Sequence, residues 1–152
     1  MTLSSLHTDL GINIEYYIIS SGLREIIEGS GIAREFREIY ACEFFYDRDG
    51  LASWPKLDVN FTNKTQFVYR INKGVLDVSD DKSLNDSMPD DSKRVPFTSM
   101  IYMGDGLSDV PCMKMMRAYG GQAIAVYQEQ LVLVLAQQAG NSALATLLAV
   151  SV

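Results

Sequence analysis

Two aspartates four positions apart, Asp105 and Asp109, lie in the segment Gly104-Asp105-Gly106-Leu107-Ser108-Asp109-Val110-Pro111. Carboxylates are hard oxygen donors, and a pair on one turn can form part of the shell of a cation such as magnesium. Lys64 opens a helical stretch and brings a compact ammonium, while Ser20, Ser21 and Gly22 bring hydroxyls and backbone N–H groups. Hydroxyls, N–H donors, one ammonium and two carboxylates are together the equipment for holding a phosphoryl group. Each has a plainer reading alone: Ser20 as a helix cap, Lys64 as a solvated helix residue, Asp105 as a turn former and Asp109 as a cap. Pro111 suits the first turn of a helix, and Met113, Met115 and Met116 suit helix packing.

The elements around these residues decide whether they can meet. Met100 to Met103 reads as a strand, Pro111 to Tyr119 as a helix and Ala123 to Tyr127 as a second strand. That puts both aspartates at a strand's C-terminal end, where open α/β sheets place ligand chemistry. Ile14 to Ile19 is a β-rich run, followed by a polar turn at Ser20-Ser21-Gly22. A helix then carries Leu23, Ile26 and Ile27 on its apolar face and stops at Gly29-Ser30-Gly31, and a short helical piece follows over Ile32 to Phe36. Ile39 to Tyr46 and Leu51 to Trp54 form a hairpin around Asp47-Arg48-Asp49-Gly50, whose two acids suit a turn better than a calcium loop. Thr62-Asn63 caps a helix from Lys64 to Asn72, with Phe67, Val68 and Ile71 as its apolar positions and Gly74 as its stop. The acidic, serine-rich stretch Val75 to Arg94 reads as an exposed loop or a poorly formed helix, the loop extending over 75–97. This order predicts an α/β fold with parallel core strands, helical crossovers and an antiparallel hairpin as decoration. It would bring Ser20, Lys64, Asp105 and Asp109 to one edge of the sheet.

The chain has 152 residues, enough for one domain with a real core. A net charge of -6 argues against a broad nucleic-acid surface. Cys42, Cys112 and the single His7 match no zinc spacing, and free thiols fit a reducing cytoplasm. The N-terminal residues lack the pattern of a signal peptide. The apolar runs Leu131 to Ala136 and Ala143 to Val150 are each too short to span a bilayer, so no membrane partner is expected.

Gly104 to Pro111 resembles the last acidic motif of the haloacid-dehalogenase-like (HAD) hydrolases, in particular their phosphoserine-phosphatase-like branch. Ile18-Ile19-Ser20-Ser21-Gly22 is similar to that family's second motif, and Asn63-Lys64-Thr65 to its lysine motif. Ala41 to Pro55 resembles the hairpin that follows the second motif, and the resemblance runs from Ile12 to Tyr127. It implies a partial HAD-like Rossmannoid three-layer sandwich over residues 1–127, with an apolar tail over 128–152. It also implies magnesium as cofactor and a phosphorylated small molecule as substrate. The catalytic residues would be Ser20, Lys64 and Asp109. Ser20, Ser21, Gly22 and Lys64 would bind phosphate, Asp105 and Asp109 would serve the metal, and Asp109 would also hold the lysine.

One departure weighs more than the matches. The family's nucleophile stands in an Asp-x-Asp-x-Thr motif ahead of the serine motif, and the residues before Ser20 contain only Asp9. Asp47-x-Asp49 has the letters but the wrong order, and the helical cap between the first two motifs is missing. The expectation is therefore a HAD-like hydrolase fragment, ancestrally a magnesium-dependent phosphomonoester phosphatase working through an aspartyl phosphate. By itself it would be inactive and bind magnesium weakly. The alternative is a non-enzymatic interaction module, or a half-protein completed by another chain. Bare sheet edges would then invite self-association or a strand-donating partner.

Overall fold

A computed structural model describes residues 13–126. The chain divides into two compact units, Met1–Asn60 and Phe61–Val152, each with its own sheet. Asp9, His7, Ile12, Tyr127 and the apolar tail of 128–152 lie outside the described residues.

The first unit contains β1 (Tyr16–Leu23), α1 (Arg24–Glu28), β2 (Phe36–Tyr46) and β3 (Ala52–Leu57), with β2 in the middle of the sheet. The first part of β2 runs parallel to β1, from Tyr16↔Phe36 to Leu23↔Cys42. Its last part runs antiparallel to β3, from Glu43↔Leu57 to Tyr46↔Ala52. The expected hairpin is present, but its first arm is a central strand and not a decoration, because β2 is long enough to serve both neighbours. Ile39, Tyr40 and Ala41 are buried in succession, as in a strand covered on both faces.

Ser20, Ser21 and Gly22 do not leave the sheet as the expected turn; they stay within β1. The register slips there, from Ile19↔Tyr40 to Leu23↔Cys42, so four steps along β1 match two along β2. The turn chemistry has become a bulge. Ser20 Oγ accepts the Gly22 N–H at 3.0 Å, satisfying that donor locally. Nor does Ser20 cap α1, whose N-cap is Leu23 with no side-chain bond. The apolar face expected on α1 is not buried: Ile26 is 72% exposed, since a helix of 5 residues is too short to present a stripe. The predicted helical piece over Ile32 to Phe36 is a single 3-10 turn, Ala33–Glu35.

The second unit contains α2 (Lys64–Lys73), α3 (Asp81–Asn85), β4 (Ile101–Gly104), α4 (Val110–Ala118) and β5 (Gln122–Ala125). β4 and β5 pair in parallel from Ile101↔Gln122 to Gly104↔Ala125, and α4 is the crossover between them. The parallel strands of the chain thus belong to two sheets, and not to the single core expected. Phe67, Val68 and Ile71 on α2 are buried as the helical spacing predicts, with Phe97, Met100, Tyr102, Cys112 and Met116 completing the core. Gly74 ends α2 in the left-handed conformation, φ 79°, which favours glycine. Asn63 stands at the N-cap of α2 but makes no side-chain cap bond.

The stretch expected as a loose loop is tied down. It holds α3 and a 3-10 turn, Asp90–Ser92. The Arg70 guanidinium, 1% exposed, donates to the carbonyls of Asp77, Val78 and Asp80 and to the Asp81 carboxylate. Lys73 Nζ donates to the carbonyls of Leu84 and Asp86, and Asn72 Nδ2 to that of Val95. Polar groups of α2 thereby do the anchoring that apolar residues usually do.

Candidate functional site

β4 ends at Gly104, and the chain turns through Asp105 and Gly106 into a 3-10 turn, Leu107–Asp109, and then α4. This is the C-terminal end of a parallel strand pair, as the sequence predicts. Lys64, at the start of α2, reaches the same turn. Its Nζ donates to Asp109 Oδ1 at 2.7 Å and to Ser108 Oγ at 3.2 Å. Both members of the ion pair are buried, the side chains 5% and 6% exposed.

Lys64 is therefore not the solvated helix residue that it resembles alone. The signal was in the helix: Lys64 shares the i, i+3, i+4, i+7 stripe with the buried Phe67, Val68 and Ile71. A lysine on an apolar stripe needs a buried partner. Asp109 supplies it from a position 45 residues away.

Asp109 is held by more than Lys64. The Tyr102 hydroxyl donates to Oδ1 at 2.7 Å, and the Gly106 N–H donates to Oδ2 at 3.2 Å. Asp109 also occupies the N-cap position of α4 but makes no side-chain cap bond there. Burial opposes its ionisation, but the hydrogen bonds from Lys64 and Tyr102 and the lysine's charge prevail and hold the carboxyl below its usual range. Burial, and then the Asp109 hydrogen bond, push the Tyr102 phenol far upward, so it stays a proton donor. Burial likewise raises the Cys112 thiol.

Gly104 makes this packing possible. A Cβ built there would come within 2.5 Å of Asp109 Cβ and 2.6 Å of its Cγ. The first glycine of the motif is thus a close-approach glycine, required by Asp109 and not by its own φ. Tyr102 and Gly104 lie two residues apart on β4 and so share a face. That period-two relation, with Asp109 packing against the gap over Gly104, is the sequence signal that could have pointed to Tyr102.

Asp105 is exposed on the turn. Ser20 is half-buried, and Ser21 and Gly22 are exposed, on the bulge of β1 in the first unit. The structure brings Lys64, Ser108 and Asp109 into contact, with Asp105 on the same turn. Among the described residues, no group of three or more His, Cys, Asp or Glu side chains is placed to hold a metal ion. Magnesium is commonly held by one or two carboxylates together with waters and substrate phosphate oxygens. Asp105 and the less occupied oxygen of Asp109 are a donor set of that partial kind, and they do not complete a magnesium site by themselves.

The acidic hairpin turn of the first unit is built differently. Asp47 Oδ1 accepts the N–H groups of Asp49 at 2.9 Å and Leu51 at 2.8 Å, and Gly50 takes φ 78°. Turn geometry accounts for Asp47 and the glycine.

No helix among the described residues is long and apolar enough to cross a membrane. No family model matches the chain, and no solved structure matches it. The chain is similar to a protein of Borreliella burgdorferi (strain ATCC 35210 / DSM 4680 / CIP 102532 / B31) described as an uncharacterized protein, with 35% identity over 117 residues. The match covers 68% of this chain and 39% of that protein, so the chain spans about two fifths of the relative's length.

Proposed function

We propose that the Lys64–Asp109 turn is the supporting half of a phosphomonoester-hydrolysing site of the haloacid-dehalogenase type. The observation that carries the reading is the buried ion pair at 2.7 Å, which joins the start of α2 to the glycine-rich turn after β4. An ammonium held so firmly is a preorganised charge for a phosphoryl oxygen. Among the described residues Lys64 spends two of its three N–H groups on Asp109 and Ser108, which leaves one for a ligand. In this reading Asp105 and Asp109 serve a magnesium ion at the turn after β4. Bound magnesium would offset charge on the phosphate.

The bond-making step belongs to an aspartate that attacks phosphorus, with a second carboxyl protonating the leaving oxygen before water releases the phosphate. The described residues offer no aspartate in that setting. The described residues therefore supply electrostatic help without a nucleophile, and no turnover is expected of the chain by itself. The intended substrate is a phosphorylated small molecule in the cytoplasm. The test pairs magnesium calorimetry with a p-nitrophenyl phosphate assay. Neither tight metal binding nor turnover is expected, and metal-dependent turnover abolished by Asp105→Asn would sink the inactivity.

A second reading, a half-protein completed by a strand from another chain, is favoured by the sheet edges. In the second unit's two-stranded sheet, β4 and β5 each have an outer edge with no strand paired to it among the described residues. On β4, Ile101 and Met103 are 65% and 62% exposed. Two-stranded sheets are marginal, and parallel strands ordinarily lie covered. A strand peptide ending in Asp-x-Asp-x-Thr tests this reading: saturable binding supports it, and no binding at millimolar peptide goes against it.

A further inference from the structure

We infer that Tyr102 is the positioning residue of the Lys64–Asp109 pair. The inference rests on the reading of Lys64 as the phosphate-binding cation. An ion pair needs only its two members, yet here a third group shares the contested oxygen. Asp109 Oδ1 takes Lys64 Nζ from α2 and Tyr102 Oη from β4, each at 2.7 Å, while Gly106 holds Oδ2. Tyr102 is 9% exposed, so its hydroxyl is committed inside the unit. A phenylalanine would fill the same space without a polar group to satisfy.

The phenol does two things for the lysine. Donors from three elements stop the carboxylate from rotating, which fixes where the ammonium points. The second donor also draws charge from Oδ1, so that Asp109 neutralises Lys64 less and leaves more field for an anionic oxygen. Tyr102 touches no substrate in this account; it acts through Asp109.

The experiment follows the Lys64 side-chain ammonium by proton–nitrogen NMR in the full chain. In the wild type the Tyr102 hydroxyl proton exchanges slowly and shows cross-relaxation to the Lys64 ε-methylene. Tyr102→Phe, with its backbone spectrum retained, moves the Lys64 resonance and speeds its exchange with water roughly tenfold, the scale of one charge-assisted hydrogen bond. Tyr69→Phe removes a hydroxyl that bonds Tyr119 at 3.2 Å in the same unit and leaves Lys64 unchanged. An unaltered Lys64 resonance and exchange rate in Tyr102→Phe overturns the inference. So does a wild type without the protected hydroxyl proton, a result that depends on no variant folding. Inorganic phosphate is then titrated into both proteins. A wild-type Lys64 resonance that ignores phosphate overturns the phosphate reading, whereas equal midpoints in the two proteins overturn the positioning role alone.

Discussion

Asp47 and Asp109 both stand near glycines on turns that follow strands, and the protein uses them in opposite ways. The exposed Asp47 carboxylate accepts from N–H groups two and four residues ahead. Asp109 is buried and bonds to a lysine 45 residues back, a tyrosine seven back and a turn N–H. The first carboxylate shapes its own loop. The second ties three elements together and fixes a charge. Acid-rich glycine turns thus become candidate sites when their carboxylates are engaged from far away in the chain, and not through composition alone.

The sharpest way to break the contrast is to remove each carboxylate. Asp109→Ala leaves a buried ammonium and a buried phenol without their acceptor and is expected to cost about 3–5 kcal/mol in urea unfolding. A loss as small as that of an exposed aspartate would erase the distinction. The pH dependence carries the same sign. The Asp109 carboxyl is held below its ordinary range, so its contribution is fully present above the unfolded-state value of about 3.9. It is lost as pH falls through the lower folded-state value. Unfolding free energy should therefore drop on the acid side of that value, and Asp109→Asn should flatten that part of the curve.

Smaller effects sharpen the comparison. Gly104→Ala forces a methyl group against Asp109 and is expected to cost about 1–3 kcal/mol, with a visible shift of the Lys64 side-chain resonance. Asp47→Ala removes two local acceptor bonds and should cost about 1 kcal/mol, confined to the hairpin in amide exchange. Asp105→Asn, on an exposed side chain, should stay within about 0.5 kcal/mol of wild type by thermal melting.

Much of the frame was legible because it is local. The β-rich run near Ile18, the apolar stripe of α2, the stop at Gly74 and the strand–turn–helix around Asp105 each show within a few residues. The pairing of Lys64 with Asp109 was also foreseen, through the resemblance of their motifs. What escaped depends on contacts that a linear reading does not contain. Whether Ser20-Ser21-Gly22 turns or bulges is decided by the register of β2 beside it. Whether the stretch Val75 to Arg94 is loose is decided by Arg70, whose acceptors are mostly backbone carbonyls and leave no composition signal. Tyr102 reads as one more apolar strand residue until Asp109 is seen beside it.

The central proposal is that Lys64 and Asp109 are a phosphate site's supporting half, to which a nucleophile, a general-acid carboxyl and a further metal ligand must be added. The direct measurement is magnesium-dependent p-nitrophenyl phosphate hydrolysis by the chain, alone and with a strand peptide ending in Asp-x-Asp-x-Thr whose binding is first established by calorimetry. The account predicts no turnover by the chain alone and turnover with the peptide, lost in Lys64→Met and kept in Asp47→Asn. Turnover that survives Lys64→Met, or none at all with the peptide bound, would contradict it.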